Sequence, residues 1–182
     1  MHVLDKGFND ILSSQIVSLA GGLVAGTLLA LYTNQLLLIP AIFLILPGFL
    51  EMWGNVSGTF ASRLSSGLFL GVVNPQRMHT KAVAGNLVAA FCLALVVSVV
   101  LGCVAFLFNR IVFGLSTYQL LVIPVIAGII ASVIVIPLTL IITFALFRRG
   151  HDPNNIMGPL ITSLGDVVSV LALLIAFSLV IL

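Results

Sequence analysis

The chain has 182 residues, 61% of them hydrophobic and only 7% charged, with a mean hydropathy of +1.32. An ordinary soluble domain is about 25% charged, and a core of this length could not hide so much apolar surface, so a soluble globular domain is excluded. The formal charge of +2 comes from basic residues scattered between apolar segments, which leaves no basic footprint for nucleic acid.

A membrane-spanning helix needs about 20 apolar residues, and five stretches of the chain meet that requirement. The first covers residues 12–32. Asp5 and Asp10 precede it, and it lacks a basic leader and a small-residue cleavage site, so it does not read as a signal peptide. The second begins at residue 36, stays apolar to residue 50, and turns polar and small through residue 66. The third covers residues 82–108 and contains Cys92 and Cys103, which read as small apolar packing residues rather than a disulfide or a metal pair. The fourth covers 120–147 and the fifth 157–182. Barrel strands are excluded, since those are about 10 residues long with alternating polarity. The expected fold is an all-α integral membrane protein of five transmembrane helices, one domain over residues 1–182 with no soluble regulatory domain.

Orientation follows from the basic residues, which favour the cytoplasmic side. With the N-terminus inside, that side receives Lys6, Arg77, Lys81, Arg148 and Arg149, with Arg63 near the inner end of the second span, and only Arg110 is left outside. The expectation is N-terminus in and C-terminus out, a multi-pass protein of the cell membrane. QLLLIPAI at residues 35–42 is echoed by QLLVIPVI at residues 119–126. The echo would make spans one–two and three–four parallel-related hairpins, as in some transporter repeats.

Polar groups inside the membrane are costly and mark function by default. Asp166 lies nine residues into the fifth stretch, about 14 Å deep at 1.5 Å per residue. Thr162, Ser163 and Ser169 stand four and three residues from it, on its side of the helix. Asp152 lies earlier, beside Arg148, Arg149 and His151, where Pro153, Asn154, Asn155, Gly158 and Pro159 favour a broken or capped helix start. In the second span Glu51, Asn55, Gly58, Ser62 and Ser65 or Ser66 recur at helical steps, after Pro40 and Pro47, where a kink would free backbone carbonyls. Each feature has a plain alternative. Asp166 could be a protonated acid with only a folding role, the small residues of the second span also suit close helix packing, and Asp152 could simply cap a helix. His2, His79 and His151 form no zinc-like spacing with the cysteines. With no nucleophile–base arrangement, phosphate loop or H-E-x-x-H helix, the chain does not read as an enzyme.

Two stretches carry a family likeness: GNVSGTFASRLSSG at residues 54–67 and DPNNIMGPLITSLGD at residues 152–166. Together they resemble the membrane domain of MgtE-type magnesium channels and of the solute carrier family 41 magnesium transporters, nearer to the latter in wording. The resemblance implies a homodimer of five-helix subunits with an ion path near the two-fold axis, and an ion-binding role for the aspartate matching Asp166. Bacterial MgtE also carries a soluble N-terminal domain and CBS domains that close the pore, whereas about ten residues precede the first span here. The eukaryotic carriers contain two such membrane domains in one chain. They also place an acid just after Gly-Asn, whereas Glu51 precedes it, so Glu51 is not carried over by position.

The chemistry of the polar residues fits the same ion. Mg²⁺ dehydrates reluctantly and is held by one or two carboxylates with several waters retained. Asp166 would supply the charge, with Thr162, Ser163, Ser169 and Asn55 reaching bound waters and Glu51 and Asp152 as further acids on the path. The absence of soft ligands argues against a dedicated copper or zinc pathway. The expected function is a divalent-cation channel or transporter, with Mg²⁺ as the transported ion, no cofactor, and the bilayer and a second copy as partners. A Na⁺- or H⁺-coupled Mg²⁺ exchanger of the same fold is one alternative, and a non-transporting membrane scaffold is the other.

Overall fold

Inside a bilayer every backbone N–H and C=O must be satisfied within the protein, and a helix does so within its own segment. The computed structural model describes residues 2–181, with side chains from Gly7 onward. Leu182 and the side chains of His2, Asp5 and Lys6 lie outside the described residues. Helix α1 (His2–Leu31) is followed by the single turn α2 (Thr33–Leu36) and a 3-10 turn at Pro40–Leu44. Four long helices come next: α3 (Leu46–Phe69), α4 (Lys81–Phe113), α5 (Gln119–Arg148) and α6 (Pro153–Ile181). Five segments are long and apolar enough to cross a membrane: Gly7–Leu31, Pro40–Phe69, and the whole of α4, α5 and α6.

The start of the second span differs from the sequence expectation. Residue 36 belongs to the α2 turn, the helix breaks after it, and the span begins at Pro40. Pro40 and Pro47 stand at the first positions of the 3-10 turn and of α3, where a missing N–H and a fixed φ suit a helix start. They therefore begin helices rather than kink one. The echoed octets also part company. Residues 35–42 form a turn, a bend and 3-10 structure, whereas residues 119–126 are regular α-helix with Pro124 inside it. Helix α1 packs chiefly on α6, while α4 packs on α5, so the first two spans are not the packed hairpin that the third and fourth are.

Helix α6 is the centre of the bundle, in contact with α1, α3 and α5, and α4 lies against α5 and α3. Phe49, Trp53, Phe144, Ile123, Ile136 and Ile161 are fully buried between these helices. Small residues let α3 and α6 approach closely. A Cβ at Gly165 would lie 2.6 Å from Trp53 Cβ, and one at Gly54 would lie 2.9 Å from Thr162 Oγ1. The connections are short and locally determined. Helix α4 starts on Thr80, whose hydroxyl accepts from the Val83 N–H at 3.3 Å, and stops at Gly114 in the left-handed conformation (φ 69°), a stop that favours glycine.

One end of the bundle gathers the start of α1, the α3–α4 loop and the α5–α6 loop. His151 Nδ1 lies 3.2 Å from both carboxylate oxygens of Asp10, and Arg148 Nε donates to Pro75 O at 2.6 Å. At the other end Asn109 closes the α4–α5 connection by donating to Leu115 O (2.8 Å) and Thr117 Oγ1 (3.1 Å).

Candidate functional site

Helix α3 is built inside out for a protein in lipid. Its large apolar residues Phe49, Met52, Trp53, Phe60 and Leu64 point into the bundle and are buried. Between residues 51 and 66 every exposed residue is polar: Glu51, Asn55, Thr59, Ser62, Arg63 and Ser66. Glu51, Asn55, Thr59 and Arg63 follow one another at four-residue steps, so they form one row along the helix. Asn55 Nδ2 donates to Glu51 Oε1 at 3.5 Å, a long bond within the row. Of the pair Ser65 or Ser66, Ser66 is on this face and Ser65 is fully buried.

The row meets α6 where the two helices cross. Gly54 lies against Thr162 and Gly165 against Trp53, which sets the half-buried Asp166 beside the upper part of the α3 row. Glu51 is near enough for the two carboxylates to interact electrostatically. Thr162, also half-buried, turns its hydroxyl back to Gly158 O at 3.0 Å. Thus Glu51, Asn55, Asp166 and Thr162 come together on one side of the bundle. Among the described residues no three His, Cys, Asp or Glu side chains gather as a metal-holding group, and the acids at this site are Glu51 and Asp166.

The remaining expected residues are placed elsewhere. Ser163 is buried against α1, where a Cβ on Gly21 would lie 2.8 Å from Ser163 Cβ, and its hydroxyl donates to Leu160 O at 3.1 Å. Ser169 is fully buried and its hydroxyl has no hydrogen-bond partner among the described residues. These two serines share Asp166's helix but not its surroundings. Asp152 is the residue before α6, and its Oδ1 accepts from the Asn154 N–H at 2.9 Å, the geometry of an N-cap. The tie expected between Asp152 and Arg148 or Arg149 is absent among the described residues. Arg148 instead reaches Pro75 O and the Phe144 ring, and Asp10 pairs with His151. Cys92 and Cys103 are free thiols on the exposed side of α4.

Thr59 is not among the polar residues that the sequence singles out in this span, and Arg63 enters there only through the orientation of the chain. The four-residue spacing from Glu51 was the available signal for both.

The family model for MgtE, a divalent cation transporter, matches residues 46–176 of the chain. The match runs from the first residue of α3 well into α6 and so contains both sides of the Glu51–Asp166 site. No solved structure matches the chain.

Proposed function

This chain belongs to the MgtE family of divalent cation transporters, a multi-pass membrane protein of a transporter rather than an enzyme family, and on that footing we propose that it carries Mg²⁺ through a site shared by two copies. The observation that carries the proposal is the wholly polar exposed face of α3 between residues 51 and 66. Such a face cannot be left against hydrocarbon without a large penalty, so it faces water or another protein surface. A second copy related by a two-fold axis along the membrane normal presents the same face, and the two copies enclose a polar path along Glu51, Asn55 and Ser62, while Thr59 and Arg63 stand at the edge of the face that borders α4.

Glu51 and Asp166 from each copy give that path a ring of four carboxylates near mid-membrane. Two close carboxylates repel each other unless a cation stands between them, and a sparse carboxylate site with room for water is what Mg²⁺ takes. Asn55 and Thr162 beside the pair suit hydrogen bonding to the retained waters. The basic residues orient the bundle with the N-terminus and the α3–α4 and α5–α6 loops on the cytoplasmic side. Asp152 then lies at the inner mouth.

The test is reconstitution of the purified full chain in vesicles with a Mg²⁺-sensitive dye inside. Uptake by the parent protein and its loss in Asp166→Asn support the reading. A folded parent protein that passes no divalent cation would reduce the polar face to an assembly surface. Running the same assay with and without a sodium or proton gradient separates a channel from a coupled exchanger.

A further inference from the structure

We propose that the groove between α3 and α4 is a binding site for an anionic phospholipid, with its phosphate on Arg63 and Asn86 and an acyl chain along Val56, Phe60, Ala90 and Leu93. These residues line one shallow groove of about 60 Å³. It is graded along its length. Val56 and Leu93 stand at its mid-membrane end, and Arg63 and Asn86 at the end nearest the α3–α4 loop. Arg63 is six positions from the end of α3, about 9 Å at 1.5 Å per residue, within reach of the headgroup level for a side chain that extends its charge outward. An apolar upper part and a cationic lower part match the two halves of a lipid in that leaflet. Basic pockets between helices on this side of a membrane bind phosphate headgroups by the same logic.

The need for an outside anion follows from the acids. Arg63 is exposed and has no hydrogen bond or ion pair among the described residues. Of the acids with described side chains, Asp10 pairs with His151, Asp152 caps α6, and Glu51 and Asp166 lie near enough to interact electrostatically. Glu51 lies roughly 18 Å from Arg63 along α3. Within one chain no described acid pairs with Arg63. An unpaired guanidinium within a span is costly, and a lipid phosphate is the anion the bilayer itself provides, well suited to the guanidinium fork. Asn86 uses one amide N–H on Ala82 O at 2.9 Å, which leaves a second donor for the same phosphate. This reading does not depend on what the α3 row transports.

Native mass spectrometry of the full chain in mild detergent, with phosphatidylglycerol or phosphatidylcholine added, tests the site. The parent protein retains phosphatidylglycerol in preference to phosphatidylcholine. Arg63→Gln weakens that retention about tenfold, the equivalent of one charged hydrogen bond, while Arg149→Gln, which alters an exposed charge outside the groove, leaves it unchanged. Leu93→Trp fills the apolar end and lowers retention without touching a charge, so the outcome does not hang on one variant. The proposal fails if Arg63→Gln retains the lipid like the parent, or if Arg149→Gln lowers retention equally. Displacement of the lipid by excess inorganic phosphate would mean a free-anion site and would also overturn it.

Discussion

Helices α3 and α4 lie side by side and are opposites. Helix α4 exposes Val88, Leu93, Val96, Val99, Val100 and Val104 and buries Ala90, Ala94, Ser98, Gly102 and Ala105, the pattern of a helix that offers bulk to lipid and small residues to its neighbours. Helix α3 buries its bulk and exposes its polar residues. Both are long enough to span, so length and hydropathy do not distinguish them. What distinguishes them is which face is turned outward, and a polar outward face is evidence of something besides lipid beside it.

The sharpest way to break that contrast is to remove charge from the polar side. Asp166→Asn and Glu51→Gln keep the shape of each side chain and delete a carboxylate from the pair. Each is expected to lower Mg²⁺ uptake on the order of 100-fold, since a hard, sparse site depends on anionic oxygen for most of its affinity. Conservative change on the α4 side, Val99→Ile or Cys103→Ser, is expected to leave uptake within about twofold, as exposed positions away from specific contacts carry little energy. Parent-like uptake by a well-inserted Asp166→Asn protein would remove the ion role from this face.

Next in size is the crossing that brings the acids together. Gly165→Ala places a Cβ 2.6 Å from Trp53 Cβ, an atom anchored to the backbone, so α3 and α6 must separate. Overpacking of this kind costs about 1–3 kcal/mol, and uptake is expected to fall with it as Glu51 and Asp166 move apart. Gly85→Ala on α4, where a Cβ meets nothing within 4 Å, should leave both melting and uptake unchanged. Detergent thermal melts run beside flux assays read the two quantities. Equal behaviour of the two glycine variants would show that the close α3–α6 crossing is not what holds the site.

Much of this was legible in the sequence, for definite reasons. Runs of apolar residues report spans because lipid demands them, and all five appear. Asp166 stands out because an acid in such a run is expensive. What was not legible depended on neighbours. Ser163 and Ser169 sit at the right helical steps from Asp166, yet Gly21 of α1 covers Ser163, and Ser169 is enclosed in the core. A helical wheel gives an angle on one helix and says nothing of what lies at that angle. The start of the second span was missed because residues 36–39 are apolar enough to be helix, while Pro40 forces the chain to start afresh. Glu51 gained its place beside Asp166 only through the Gly54–Thr162 and Gly165–Trp53 contacts, which no local pattern encodes.

A smaller, qualitative test asks what covers the polar face. In a background with Cys92 and Cys103 replaced by serine, Ser62→Cys should crosslink to its own copy in a second chain, because an axis beside α3 brings like residues together. Val99→Cys, exposed on α4, should not. Crosslinking from α4 with none from α3 would put the partner on the wrong helix and leave the polar face without a cover.

The smallest expected effect concerns how the two kinds of helix begin. Helix α4 starts on a neutral cap, the Thr80 hydroxyl, and α6 starts on a charged one, the Asp152 carboxylate at 2.9 Å from the Asn154 N–H. Capping alone accounts for either residue, and a carboxylate gains further from the helix dipole. A role in drawing cations to the inner mouth would require the charge itself, acting over about 8 Å at physiological ionic strength. Asp152→Asn preserves the cap and removes the charge, so the two roles separate cleanly. With the carboxylate engaged by the backbone, Asp152→Asn is expected to transport like the parent at every salt concentration, and Asp152→Ala to lose about 1 kcal/mol of stability. A flux deficit in Asp152→Asn that appears at low salt and fades at high salt would instead make Asp152 part of the ion path, and would carry the polar side of the molecule from the α3 row to the mouth of α6.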